Sequence, residues 1–197
     1  MRESTVRRTT NETQVEVTLR LDGSGRYEVA TGIGMLDHLI EQIARHGGFD
    51  LTLRARGDLD RDTHHTAEDT GIALGQAFDQ ALGDRAGITR MADALVPLDE
   101  ALVQAAVDLS GRPYVSAELP LRGPMIGELP VSMVPHFLRS FAQAGRMTLH
   151  LRALAGEDDH HIVEAGFKAL ARALRAATAI DPRAAGTVPS TKGTLTS

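Results

Sequence analysis

His64-His65-Thr66-Ala67-Glu68 heads an Ala/Leu-rich stretch, and His160-His161-Ile162-Val163-Glu164 heads another. The likeness extends upstream. His38-Leu39-Ile40-Glu41-Gln42-Ile43-Ala44-Arg45 lies on His136-Phe137-Leu138-Arg139-Ser140-Phe141-Ala142-Gln143, and Leu51-Thr52-Leu53-Arg54-Ala55 then falls on Leu149-His150-Leu151-Arg152-Ala153 without a gap. Each half therefore reads as a helix with an early His, a strand ending in Arg-Ala, a short acidic loop and a helix beginning His-His-x-x-Glu. The loop is two residues shorter in the second copy, with nine positions from Ala55 to His64 against seven from Ala153 to His160. Length differences between repeats usually fall in such loops.

Periodicity supplies the elements. Thr13 to Leu21 alternates polar and apolar residues, the mark of a strand with one wet face, and Asp22-Gly23-Ser24-Gly25 reads as a turn into Arg26 to Thr31, making a hairpin. Met35 to His46 reads as a helix closed by Gly47-Gly48, Phe49 to Arg56 as a strand, and His64 to Leu82 as a helix closed by Gly83. In the second half, Leu102 to Leu109 and Tyr114 to Leu119 are strands, Val131 to Ala144 a helix, Met147 to Leu154 a strand and His160 to Ala179 a helix. A ββαβα unit used twice predicts an α+β fold of two fused, duplicated half-domains, 1–87 and 88–180, with each sheet covered on one face by helices. A tail, 181–197, follows with almost no large apolar residue.

Composition narrows the chemistry. At 197 residues the chain can bury a core as two half-domains of roughly a hundred residues each. Cysteine is absent, which excludes disulfides and thiolate metal sites, so any metal must be held by His and carboxylate. No apolar leader follows Met1-Arg2-Glu3 and charges break up the apolar stretches, which predicts a soluble, cytoplasmic protein without membrane attachment. A net charge of -5 argues against a nucleic-acid partner, although basic residues can still gather around a small anion.

Residues four apart share a helix face, so His64 converges with Glu68 and His160 with Glu164. Adjacent residues diverge by about 100°. His64 and His65 therefore aim at different places, and the pair more naturally serves two ions, or one ion and a substrate. With His38 and His136, which match in the repeat, the set becomes six His and two Glu. Shared equally, that is three nitrogens and one carboxylate per ion; an octahedral ion keeps two open positions, whereas four-coordinate zinc would be closed. The donor set suits Mn²⁺ or Fe²⁺ in catalysis, with Zn²⁺ as the alternative. His46 and His150 have no histidine counterpart in the other half.

A second group is basic. Thr187-Val188-Pro189-Ser190-Thr191-Lys192-Gly193 combines hydroxyls, a lysine and a flexible backbone, the donors that hold a phosphate monoester; the same composition also describes a plain surface tail. Arg90 and Arg112 offer bidentate forks to the same kind of ligand.

The runs Met35-Leu36-Asp37-His38, His64-His65-Thr66-Ala67-Glu68-Asp69, Pro97-Leu98-Asp99-Glu100-Ala101, Asp108-Leu109-Ser110-Gly111-Arg112-Pro113, Asp159-His160-His161-Ile162-Val163-Glu164 and Pro189-Ser190-Thr191-Lys192-Gly193 together resemble the imidazoleglycerol-phosphate dehydratase family. They stand in the family's order across nearly the whole chain, in the form without a fused phosphatase. The resemblance implies two Mn²⁺ ions per active site, held by His38, His64, His65, Glu68, His136, His160, His161 and Glu164. It implies substrate contacts at Glu12, Gln42, His46, Arg90, Arg112, Lys168, Ser190 and Lys192. It also implies a 24-subunit shell with sites at subunit boundaries, acting on a small phosphorylated imidazole. Thr191, where Ser is common, is a small departure that keeps the hydroxyl.

The implied reaction removes water from D-erythro-imidazole glycerol phosphate to give imidazole acetol phosphate in histidine biosynthesis. In the expected mechanism, metals on the two ring nitrogens favour imidazolate, the C3 hydroxyl leaves, and a carboxylate takes the C2 proton. Glu12 is assigned as that base because Glu68 and Glu164 are occupied as ligands. Two rival classes are a two-metal phosphate-ester hydrolase, which would release phosphate from the same compound, and a non-catalytic metal-binding cage, which would turn nothing over.

Overall fold

A computed structural model describes residues 2–184 and 186–195. The first half runs β1 (Glu3–Thr9), β2 (Thr13–Arg20), β3 (Tyr27–Ala30), α1 (Gly34–Gly47), β4 (Asp50–Gly57) and α2 (His64–Leu82). The second runs β5 (Met91–Leu98), β6 (Ala101–Asp108), β7 (Tyr114–Glu118), a small hairpin of β8 (Met125–Ile126) and β9 (Leu129–Pro130), α3 (Met133–Ala144), β10 (Thr148–Ala155) and α4 (Asp159–Thr178). The two large sheets share one topology, β1-β2-β4-β3 and β5-β6-β10-β7. In each the first three strands are antiparallel and the last lies parallel to its neighbour.

Two sequence expectations need correction. Each half carries a leading strand that the ββαβα reading lacks. β1 buries Val6 as its one large apolar residue, and β5 contains Asp93 and Pro97, so neither has the apolar alternation that marks a strand. Both lie at sheet edges, where charge and proline are tolerated. Nor do β2 and β3 form a hairpin, because β4 lies between them. The Asp22–Gly25 turn is fastened instead to the start of β4, where Asp50 Oδ1 accepts the amides of Ser24 at 2.8 Å and Arg26 at 3.2 Å. The hairpin of the first half is β1–β2, with Thr9 opposite Gln14.

Alternation decides which sheet face is dry. Val15, Val17 and Leu19 of β2 and Leu51, Leu53 and Ala55 of β4 point inward, as do Val103, Ala105 and Val107 of β6 with Leu149 and Leu151 of β10. Helices cover these faces, α2 on the first sheet and α4 on the second. The helices also pair across the halves, α1 with α4 and α2 with α3, which joins everything into one core.

The α2–α3 contact depends on glycine. A Cβ at Gly75 would meet Gly145 N at 2.8 Å and, still closer, the carbonyl oxygen of Phe141; one at Gly71 would meet Phe137 O at 3.0 Å. The two backbones therefore approach closely along a stripe of α2 that carries no side chain. The β8–β9 hairpin adds a second tie between halves, because the Glu128 carboxylate accepts the Met35 amide at 2.8 Å and caps α1.

The polar tail docks at the junction of the halves and on the second half. Gly87 N donates to Thr187 O at 2.8 Å, Arg90 Nη1 donates to Pro189 O at 2.7 Å, and Leu195 is buried. Among the described residues no helix is long and apolar enough to cross a membrane.

Candidate metal centres

All four helices bring at least one histidine in near the N-terminus: His38, His64, His136 and His160. α1 and α4 run parallel, so His38 from the first half meets His160 and Glu164 from the second. Nε2 of His38 lies 3.2 Å and Nε2 of His160 3.0 Å from the same oxygen, Glu164 Oε2. The other carboxylate oxygen takes Lys168 Nζ at 2.7 Å, one turn further along α4. Burial resists ionisation of Glu164, but Lys168 and His38 outweigh it and hold the carboxyl down at about 2. The group is therefore an anion at any physiological pH.

α2 and α3 build the second cluster in the same way. His64 and Glu68 from the first half meet His136 from the second, with Glu68 oxygens 3.9 Å from His64 Nε2 and 3.7 Å from His136 Nε2. In each trio one donor atom per residue lies within 4.8 Å of the others. His136 Nε2 is buried with no hydrogen-bond partner. A buried, unpaired imidazole nitrogen beside a carboxylate is costly unless something binds it. A divalent cation fits that place and that donor set, two nitrogens and one oxygen. Ile72 stands one turn after Glu68, where Lys168 stands after Glu164, so only one cluster has an ammonium against its carboxylate.

His65 and His161 turn away from both trios. The ring planes of His64 and His65 stand at 81°, and those of His160 and His161 at 85°. His65 Nδ1 lies 3.0 Å from Asp58 and 3.7 Å from Glu12, while His161 Nδ1 lies 2.8 Å from Glu100. The hydrogen bond to Asp58 raises the His65 pKa, and that to Glu100 raises that of His161. The Asp158 amide and then His161 hold the Glu100 carboxyl down to about 2. Asp58 and Glu100 had no assigned role in the sequence. The available signals were the acidity of the loop before His64 for Asp58 and, for Glu100, its place in the run Pro97 to Ala101.

The remaining candidates fall in two places. Gln42 and His46 follow His38 along α1; Gln42 donates to the His38 carbonyl at 3.1 Å, and burial, then Lys168 and Arg172, lowers the His46 pKa. Arg90, Arg112 and the tail gather elsewhere. Arg90 grips Asp108 through Nε at 2.7 Å and Nη2 at 3.0 Å, Arg112 approaches the same carboxylate at 4.0 Å, and Ser190 Oγ accepts the Lys192 amide at 3.2 Å. The Arg90 amide donates to Ala177 O near the end of α4, thirteen residues beyond Glu164, or about 20 Å at 1.5 Å per residue. The basic group and the His38 cluster of one chain thus sit toward opposite ends of one helix. His150 lies beside Tyr114, 5.5 Å between rings, and joins neither group.

Comparison with known proteins gives a consistent likeness. The family model described as imidazoleglycerol-phosphate dehydratase matches residues 31–174. A relative from Salinispora tropica with that name is 57% identical over 201 residues, covering 98% of this chain and 99% of the relative. A crystal structure of the Pyrococcus furiosus protein in complex with (S)-C348 superposes with a TM-score of 0.83 at 38% identity, covering 96% of this chain and 99% of that one. The structure from Staphylococcus aureus gives 0.82 at 32% identity, covering 91% and 99%.

Proposed function

Because this chain belongs to the imidazoleglycerol-phosphate dehydratase family, hydro-lyases of histidine biosynthesis, we propose that it carries out its dehydration with two divalent ions, taken to be Mn²⁺. The observation that carries the reading is the pair of trios, His38/His160/Glu164 and His64/Glu68/His136, one of them with an orphaned buried nitrogen. Ions bound there would polarise the imidazole ring of the substrate as Lewis acids. His65 and His161 turn away from both trios and complete the ligand sets of neighbouring copies.

The chain's own groups then divide the work. Glu12, half exposed and next to His65, takes the proton from C2 of the substrate. The C3–O bond breaks, the hydroxyl departs as water after gaining a proton, and the resulting enol tautomerises to the ketone. Glu68 and Glu164 are committed to the trios, which leaves Glu12 for this role. Gln42, His46 and Lys168 line the approach to the His38 cluster and orient the substrate. Arg90, Arg112, Ser190 and Lys192 hold its phosphate, so that 181–197 serves as a substrate-binding tail appended to the halves 1–87 and 88–180.

The separation of about 20 Å along α4 supports the reading that the phosphate donors and the His38 cluster used for one small substrate come from different copies. A closed assembly, taken to be the 24-subunit shell, supports that sharing in a cytoplasmic enzyme with no nucleic-acid or membrane partner. Elemental analysis joined to a dehydration assay tests the reading. Two ions per chain with turnover that disappears on chelation and returns with Mn²⁺ are expected; full turnover in fully chelated protein would refute it, and release of free phosphate would favour a hydrolase.

A further inference from the structure

His65 and His161 spend the same nitrogen in the same way, and at His161 Asp99 Oδ2 also lies 3.6 Å from the other nitrogen, Nε2. His65 gives Nδ1 to Asp58 at 3.0 Å, and His161 gives Nδ1 to Glu100 at 2.8 Å. The trio histidines His38, His64, His136 and His160 all turn Nε2 toward a trio carboxylate. A carboxylate on Nδ1 keeps the proton there, leaves Nε2 as the bare donor and makes that nitrogen more basic. We propose that Asp58 and Glu100 are positioning residues that fix the tautomer and aim of His65 and His161, so that each presents Nε2 to a divalent ion shared with a neighbouring copy. The proposal rests on the metal reading above.

The duplication explains why two different acids do one job. Val15 pairs with Ala55 and Val103 with Ala153, so Glu12, three residues before Val15, corresponds to Glu100, three before Val103. By the same register Asp58, three after Ala55, corresponds to Gly156. Gly156 sits at φ +149°, and a Cβ there would run into Ile162 and approach Ala101 at 3.3 Å. Position 156 of the shorter second loop thus has no room for an acid. Glu100 fills the gap, and its second oxygen also accepts the amides of Glu157 at 3.1 Å and Asp158 at 2.9 Å. In the first half Asp58 holds the ring, and Glu12 stays at 3.7 Å from it, uncommitted. Of two turn carboxylates in equivalent positions, one is tied down and the other remains free to meet substrate.

Mn²⁺ titration followed by the electron paramagnetic resonance of the free ion tests this on the assembled protein, with wild type, Asp58→Ala, Asp58→Asn and Glu100→Gln side by side. The expected result is unchanged stoichiometry with affinity about 10- to 100-fold weaker at one site. Asp58→Asn should recover part of the Asp58→Ala loss, since its amide oxygen still accepts from Nδ1. The unfolding temperature of the chelated Asp58→Ala protein should match wild type, which separates positioning from general support. Glu100→Gln also loosens the amides of 157–158, so Asp58→Ala carries the decision if that variant misfolds. Affinity within twofold of wild type in Asp58→Ala overturns the proposal. Loss of a whole ion overturns it too, because Asp58 would then be a ligand. Wild type that takes up no Mn²⁺ removes the metal reading itself.

Discussion

Gly75→Ala isolates the contact on which the His64/Glu68/His136 cluster is built. The added methyl would stand 2.8 Å from Gly145 N and 3.0 Å from Ala144 Cβ, and closer still to the carbonyl of Phe141. Ordinary contact with such atoms begins near 3.4 Å, so α3 must retreat from α2 by roughly half an ångström or more. Overpacking of this kind costs about 1–3 kcal/mol, and contact with rigid backbone belongs at the upper end. Replacing a helical glycine returns about 1 kcal/mol. The net loss is about 2 kcal/mol, or about 4–8 °C in unfolding temperature for a chain of this size. Gly71→Ala is the control, since its nearest atom is at 3.0 Å and the others are at 3.2 and 3.3 Å; its strain and propensity gain should nearly cancel. Calorimetry on both variants, with and without Mn²⁺, gives the comparison. Gly75→Ala should also bind one Mn²⁺ more weakly, because His136 rides on α3. Equal unfolding temperatures for the two variants, with wild-type metal affinity in both, would refute the reasoning.

Three further outcomes follow from the geometry. Glu12→Gln should lower kcat by about 10²- to 10⁴-fold while retaining its full complement of metal; normal turnover with ions bound would remove Glu12 as the base. Arg90→Lys keeps the charge but loses the planar fork, so the KM for the phosphorylated substrate should rise about tenfold or more with a smaller change in kcat. An unchanged KM would take Arg90 out of the phosphate site. Asp50 has its carboxyl held well below its ordinary 3.8, first by the Ser24 amide and then by Arg26. The lowered value means that its ionised form stabilises the fold above about 3.8 and that this contribution fades as pH falls below it. Asp50→Asn should therefore be less stable than wild type at pH 7 and converge on it in acid titrations followed by circular dichroism. A constant gap from pH 7 to 2 would contradict that.

The helices were legible because their signals are local. α2 spans the same His64 to Leu82 as the apolar period and the following glycine indicate, and α1, α3 and α4 differ by at most two residues at either end. Strands β1 and β5 were not, because an edge strand needs little apolar alternation and tolerates the charge and proline that disguise it. The mistaken hairpin has a different origin. A Gly-rich turn between two strands favours local pairing, but the amide grip of Asp50 on residues 24–26 diverts β3 to the far side of β4. Spacing along a helix foretold that His64 and Glu68 share a face and that His65 departs from it. It could not foretell that each trio takes its third member from the other half, since that depends on α1 meeting α4 and α2 meeting α3. The role of Glu100 was hidden by distance, because the acid serving His161 is sixty-one positions away in sequence; Asp58 is only seven positions from His65, but an acidic loop does not say which of its carboxylates takes the ring.

Cross-half pairing of the helices has a consequence for how the two clusters can change. Were a lone half to dimerise with its own copy, both pockets would be duplicates, and any substitution would strike them together. Tethering the copies in one polypeptide releases each pocket to drift independently. Lys168 opposite Glu164, against Ile72 beside Glu68, is such a difference: one pocket holds an ammonium where its twin has an aliphatic side chain. Severing the chain between α2 and β5 should then leave neither fragment with an intact trio, although mixing the two pieces would restore both.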